Sequence, residues 1–229
     1  MNVRRFLLSI ATLLSTICMA QQSAKSCMEY KQIPQGAQLL ELASKLVAYG
    51  RESKSALPLI QAVQIFRQLN LVDGDSASTH LSDSPYNETS ILKDAKTFAD
   101  GNKIVLSLIQ DTQKASRLGA WSAPRRYLAS IGAREMKERK LRFKGGEFVR
   151  LVLDGQAKGV TSVDEEGKII APQLLLTVYD HNRQKLAEDK SKGTNCVVTF
   201  IPRVSENATI EVKNLGEIGA NYVLYIYQE

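Results

Sequence analysis

Histidine is scarce in this chain, and the scarcity argues against several classes of enzyme. Its two histidines are His80 and His181. The HExxH helix of zinc proteases is absent, as is the GxSxG turn that α/β-hydrolases combine with a histidine base. The three cysteines include no pair at the spacing of metal ligands. We therefore predict no catalytic residues, no metal site, no cofactor and a protein that is not an enzyme.

Long apolar runs are also absent after the first twenty residues. Near the N-terminus, Arg4 and Arg5 are followed by an apolar stretch over residues 6–14 and then by a segment that ends in the small residue Ala20. Such an order of charged, apolar and small residues is typical of a cleavable signal peptide. The stretch is too short for a bilayer span, which takes about 20 residues. We predict a signal peptide over residues 1–20, a periplasmic or secreted protein, and no permanent membrane anchor.

Cleavage after Ala20 would leave two cysteines, Cys27 and Cys196. An oxidising compartment permits a disulfide between them. Two buried or free thiols fit the sequence equally well, because sequence does not show whether the two Cα atoms come within about 7 Å. Both alternatives stay open at this point.

The spacing of apolar residues divides the remaining chain into two halves. Between residues 35 and 118 they recur every three to four positions, which predicts about four amphipathic helices. The predicted apolar stripes are Leu39, Leu42, Ala43, Leu46 and Val47; Leu59, Ile60, Val63, Phe66 and Leu69; Ile91, Leu92, Ala95 and Phe98; and Ile104, Val105, Leu108 and Ile109. Gly50 predicts a helix end and Ser55 a helix start. We predict a helical region over residues 21–120, folded as a small bundle around one apolar seam.

After residue 137 the apolar residues occur in short runs, bounded by turn signals such as Gly145-Gly146. The runs lie at 141–143, 148–153, 174–179, 197–201, 210–212 and 222–227. Their alternation is typical of an antiparallel β-sandwich of about six to eight strands. We predict an α+β protein in which this sandwich occupies residues 137–229 and residues 121–136 form a connection.

Five segments of this half carry a family resemblance: FKGGEFVRLVL, LLLTVYDHNRQKLAEDKS, CVVTFIP, ATIEVKNLG and NYVLYIY. Together they resemble the bacterial pre-peptidase C-terminal domain, a secreted jelly-roll-like β-sandwich appended to many exported hydrolases. The most specific piece is Val178-Tyr179-Asp180 followed by a turn and Lys185-Leu186-Ala187. The resemblance implies an exported bacterial protein and brings no activity with it. The family commonly places an Asp-Leu-Asp arrangement suited to calcium before this strand, whereas this chain has Gln173-Leu174-Leu175, so we predict no calcium site there.

The strongest candidate binding surface is the basic stretch over residues 125–144. Within it we select Arg125, Arg126, Arg139, Lys140 and Arg142 as candidate ligand-binding residues. On an exposed face, these cations would attract polyanions such as acidic envelope glycans. A solvated face without a ligand is the alternative interpretation. Aromatic side chains for base stacking are scarce in the stretch, so we predict no nucleic-acid binding.

These observations favour an exported, non-catalytic binding or accessory protein of the cell envelope or extracellular space. Its partner would be an anionic envelope glycan or another exported protein. One alternative is a secreted hydrolase with a site in the loop over residues 73–87, which contains Ser76 and His80. Another is a structural or oligomerisation role for the helical region.

Overall fold

A helical N-terminal part is followed by a strand-rich C-terminal part, which confirms the predicted α+β class. The computed structural model describes residues 33–74, 84–115, 123–158, 171–191 and 193–229. Within these ranges the elements in chain order are α1 (Gln35–Glu52), α2 (Ala56–Gln68), β1 (Val72–Asp73), α3 (Glu88–Phe98), α4 (Lys103–Lys114), β2 (Arg125–Ile131), β3 (Met136–Phe143), β4 (Val149–Ala157), β5 (Leu174–Tyr179), β6 (Lys185–Asp189), β7 (Asn195–Phe200), β8 (Glu206–Asn214) and β9 (Ala220–Gln228).

The strands form two stacked sheets. One has the order β1-β2-β9-β4-β7, and the other has the order β3-β8-β5-β6. The short strand β1 runs parallel to β2, and the other paired strands are antiparallel. The eight strands from β2 to β9 thus form a two-sheet jelly roll. Side chains from both sheets, among them Phe143, Leu151, Leu176, Ile210 and Leu224, fill the core between them.

The helices form a third layer on the outer face of the five-stranded sheet. Val223, Tyr225 and Tyr227 of β9 pack into the same apolar core as the helices, whereas Leu224 faces the second sheet. Phe66 of α2 stacks on Tyr225 with ring centroids 5.4 Å apart. Because β9 is buried on both faces, the helices pack against the sandwich through a second apolar core instead of forming a separate bundle. Residues Pro34–Glu229 accordingly make one compact unit.

The buried faces of α1 and α4 differ from the predicted stripes. Leu40 and Val47 of α1 are buried, whereas Leu42 is 47% exposed. The helix does not stop at Gly50 but continues to Glu52. A Cβ at Gly50 would lie 2.7 Å from Leu59 of α2, so the glycine lets the two helices approach. On α4, Ile104 is 76% exposed. The periodicity identified each helix, but the packing against the sheet selected which side of it is buried.

The segment predicted as a connection contains the strand β2. It pairs with β9 along its whole length, from Arg125 opposite Ile226 to Ile131 opposite Ala220. Its side chains alternate between the helical layer, where Arg126 lies, and the sandwich core, where Tyr127 lies. A strand with buried faces on both sides, one of them holding an arginine, shows no simple apolar alternation. The sandwich therefore begins at Arg125, twelve residues before the predicted boundary at 137.

Asn214 joins the turn after β2 to the turn after β8. It is fully buried; its Nδ2 donates to the carbonyls of Gly132 at 2.9 Å and Ile218 at 2.7 Å, and its Oδ1 accepts from the Gly216 amide at 3.0 Å. We expect Asn214→Asp to lower the free energy of unfolding by about 2 to 3 kcal/mol, because the carboxylate loses both donors and faces two carbonyl oxygens. Urea unfolding measures this.

The exposed Asn207 on the same strand supplies the matched control. Asn207→Asp should change the free energy of unfolding by less than about 0.5 kcal/mol. Equal effects of the two substitutions would contradict the role assigned to Asn214.

Three predictions concern residues outside the described ranges and stay predictions. They are the signal peptide over residues 1–20, the participation of Cys27 in a disulfide, and the hydrolase site that requires Ser76 and His80. Within the described ranges, every helix is too short or too polar to cross a membrane.

Candidate functional site: a basic cleft between β2 and β3

The two sheets leave an opening between β2 and β3, which follow one another along the chain but belong to different sheets. At one end of this opening lies a cleft of about 150 Å³, which we call the basic cleft. Its lining includes Arg125 and Tyr127 from β2, Arg142 from β3, and Lys144 and Glu147 from the following turn. The sheet topology thus brings both ends of the predicted basic stretch to one place.

Tyr127 and Arg139 close the middle of the opening. Tyr127 is buried, and the Arg139 guanidinium lies 4.6 Å from the centroid of its ring, within the range of a cation–π contact. A Cβ at Gly74 would lie only 2.2 Å from the ring, so the absence of a side chain there makes room for Tyr127. The position of Arg139 is therefore set by a packed aromatic ring.

The charge of the basic cleft is only partly neutralised. The Lys144 ammonium lies 3.4 Å from the Glu147 carboxylate. Within the described ranges, no ion pair or side-chain hydrogen bond involves Arg125 or Arg142. A guanidinium binds carboxylate, sulfate or phosphate oxygens through paired hydrogen bonds. The cleft therefore offers two guanidinium groups to a single anionic group such as a carboxylate, sulfate or phosphate.

Three of the five selected residues do not line the basic cleft: Arg139, which lies over the Tyr127 ring, Arg126 and Lys140. Arg126 is 8% exposed; its guanidinium donates to the Asp73 carboxylate at 2.7 Å and to the Tyr86 carbonyl at 3.1 Å. It joins β2 to β1 and to the segment before α3, so it has a structural role. Lys140 is exposed on β3 and does not line the cleft.

A larger cavity of about 550 Å³ lies at the other end of β2. Its lining combines the ammonium groups of Lys137 and Lys158 with the polar side chains of Ser130, Asn221 and Tyr222. This volume is within the range of small-molecule sites. Sequence reasoning missed it, because Lys158 and Asn221 come from distant positions and share no local pattern.

Cys196 is buried in the sandwich core, where its thiol donates to the Leu174 carbonyl at 3.4 Å. Burial, aided by the Asp189 charge, raises the pKa of the Cys196 thiol to about 12. The thiol therefore stays protonated at neutral pH and is a poor nucleophile. Cys196 is a free thiol in the structure, and Cys27 lies outside the described residues.

Asp154 is a buried carboxyl group away from the basic cleft. It is 3% exposed on β4 and faces the helical layer, where it interacts with Ser44 and Arg51 of α1. Burial raises the pKa of Asp154 to about 7, although the Arg51 charge and the Ser44 hydrogen bond act in the opposite direction. The stability of this layer should consequently depend on pH.

No protein-family model and no curated protein matches the chain. Among solved structures, it is similar to the pre-peptidase C-terminal domain of collagenase from Bacillus anthracis, with a TM-score of 0.33 and 10% identity over 44% of this chain and 87% of that chain. It is also similar to PliG of Aeromonas hydrophila, a periplasmic inhibitor of g-type lysozyme, with a TM-score of 0.32 and 12% identity over 46% of this chain and 86% of that chain. Both TM-scores are below 0.5.

Proposed function

We propose that the protein is an exported, non-catalytic binding protein whose basic cleft holds an acidic group of an envelope or extracellular glycan. The observation that carries this proposal is the pair Arg125 and Arg142, which line one cleft and have no carboxylate partner among the described residues. Unpaired guanidinium groups at a concave site favour an anionic ligand.

The surroundings of the cleft support a glycan as the source of that anion. The larger cavity lies further along the same strand, and it offers hydroxyl, amide and ammonium groups beside the ring of Tyr222. A polymer with acidic groups at intervals can place one carboxylate or sulfate in the basic cleft and a neighbouring sugar unit in the larger cavity. Such a ligand would use both ends of the opening.

Membership of the pre-peptidase C-terminal family is part of the same proposal. Its support is that the five motif segments coincide with strands or hairpins of the jelly roll: β3 with β4, β5 with β6, β7, β8 and β9. The Val178-Tyr179-Asp180 piece ends β5, and Lys185-Leu186-Ala187 begins β6 after a turn.

The experiment compares the mature chain with the double variant Arg125→Gln/Arg142→Gln. Isothermal titration with a hexameric oligogalacturonate supplies the acidic probe, and a neutral malto-oligosaccharide of the same length tests the need for charge. We expect the double variant to bind the acidic probe at least about tenfold more weakly, the equivalent of about 1.4 kcal/mol. Added salt should weaken binding by the unmodified chain, because salt screens exposed charges.

Lys93 and Lys96 on α3 provide a control with the same change in net charge, since both are exposed and distant in sequence from the cleft. Lys93→Gln/Lys96→Gln should leave the affinity unchanged. Equal losses in the two double variants would show that only the overall charge attracts the probe, and equal affinity for the neutral sugar would contradict the proposed anionic ligand.

A further inference from the structure

The turn between β5 and β6 meets the first residue of β8 at a cluster of three potential metal ligands. Asp180, His181 and Glu206 each offer a ligand atom, and these atoms all lie within 4.8 Å of one another. Glu206 is 25 positions from His181 along the chain. The antiparallel pairing of β5 with β8 brings the two together, since Tyr179 lies opposite Thr209.

Local hydrogen bonds orient the three side chains. The Oδ1 of Asp180 accepts from the amides of Asn182 and Gln184, both at 2.8 Å, which fixes the turn and leaves its Oδ2 without a hydrogen bond among the described residues. The Nδ1 of His181 contacts the Oε2 of Glu206, and the His181 amide also approaches that oxygen at 3.4 Å. The imidazole nitrogen and one oxygen of each carboxylate therefore point to a common region.

Among the residues that the structure describes, the cluster has no lysine or arginine as an ion-pair partner. Arg183, in the same turn, forms an ion pair with Glu138 at 2.9 Å, and Lys185 at the start of β6 forms one with Glu188 at 2.9 Å. Within the described ranges, no lysine or arginine forms an ion pair with Asp180 or Glu206. Two carboxylates and an imidazole without a lysine or arginine partner create a negative site that a cation would stabilise.

We propose that Asp180, His181 and Glu206 form a Zn²⁺ site with three protein ligands and one position left to water. Zinc binds imidazole nitrogen and carboxylate oxygen at about 2.0 to 2.2 Å, commonly with tetrahedral geometry. Tetrahedral ligands at those lengths lie about 3.4 Å apart, so small side-chain rotations from the present arrangement suffice. Calcium takes six to eight oxygen ligands, and a histidine with two carboxylates suits zinc better.

This site is separate from the basic cleft and does not depend on the proposed glycan binding. It also differs from the position where the family resemblance would place calcium, since that position holds Gln173, Leu174 and Leu175 and Leu174 is fully buried. The sequence showed Asp180 beside His181, but two adjacent residues do not indicate a site. The third ligand became visible only through the pairing of β5 with β8.

The test is a calorimetric titration of the metal-free mature chain with ZnCl₂, followed by the variants His181→Ala and Glu206→Gln. We expect one zinc ion per chain and an affinity at least tenfold lower in both variants. His80→Ala removes the other histidine of the chain, and Cys27→Ser removes a competing thiolate ligand; both should retain the affinity. Titration with CaCl₂ should produce no comparable binding.

Cobalt provides a second readout that does not depend on the binding heat. Co²⁺ in the site should give the intense visible absorption of a tetrahedral complex in the unmodified chain and in His80→Ala, but not in His181→Ala. Absence of zinc binding would overturn the proposal, as would equal affinity in His181→Ala, Glu206→Gln and the unmodified chain. Far-ultraviolet circular dichroism of each variant confirms that a loss of binding does not reflect unfolding.

Discussion

Tyr225→Ala is expected to lower the free energy of unfolding by about 3 to 5 kcal/mol, as is typical for truncating a buried aromatic side chain. Tyr225 faces the helical layer and stacks on Phe66, and it is 1% exposed. Its neighbour Leu224 faces the opposite side, into the sandwich core, and Leu224→Ala should cost about 2 to 5 kcal/mol. Urea unfolding of both variants measures whether the two faces of β9 contribute comparably.

The comparison distinguishes helices that pack on the sheet from helices that fold independently of it. If the helices were a separate bundle, Tyr225 would lie on a solvated sheet face, and its replacement would cost less than about 1 kcal/mol while Leu224→Ala stayed costly. Tyr49, which is 60% exposed on α1, provides the control. Tyr49→Ala should change the free energy of unfolding by less than about 0.5 kcal/mol.

Asp154→Asn should remove a pH dependence of stability that the unmodified protein shows between about pH 4 and pH 7. The pKa of Asp154 is about 7 in the folded protein, against 3.8 for an ordinary aspartate. Between these values the folded state retains the proton and the unfolded state releases it. The folded state then binds more protons, so stability falls as the pH rises. Each pKa unit corresponds to about 1.4 kcal/mol, which gives about 4 kcal/mol in total.

Groups on α1, on β9 and in the segment before α3 interact with the Asp154 carboxyl group. Arg51 and Ser44 of α1 favour the charged carboxylate. Burial, and after it the Asp154 charge, raises the pKa values of Tyr86 and of Tyr225 on β9. Since asparagine has no charge to lose, the difference in the free energy of unfolding between Asp154→Asn and the unmodified protein should grow from pH 4 to pH 7 and then level off.

Urea unfolding at half-unit intervals from pH 4 to pH 8 measures this difference. Asp111→Asn on α4, where the aspartate is exposed, is the matched control and should give a difference that varies little with pH. A constant difference for Asp154→Asn across the range would mean that the buried carboxyl group is ionised throughout.

The main features of the fold could be predicted from local patterns. The stripe in α2 was predicted with its buried residues, including Ile60, Val63 and Phe66, because one face of that helix lies against neighbouring apolar groups. The run over residues 174–179 matches β5 residue for residue, since its alternation and its flanking turns agree. Strand β2 was missed because it is buried on two faces and holds Arg126 on one of them.

The candidate sites were predictable only in part. The basic stretch identified Arg125 and Arg142, but in sequence it did not distinguish them from Arg126, which the fold buries against Asp73. A charge run shows that cations are close together along the chain, not which of them already have partners. Glu206 gave no signal at all, because nothing near it in sequence resembles a ligand set.

The amino-acid sequence by itself determined the α+β class, the order of helices before strands and the jelly-roll-like second half, because apolar spacing and turn residues act over a few positions. Tertiary structure alone decided that the helices cover one sheet, that Arg126 is buried while Arg125 and Arg142 share a cleft, and that Glu206 meets Asp180 and His181. These outcomes depend on pairing between distant strands. Strand pairing is set by the packing of the whole core, which no short segment of the chain encodes.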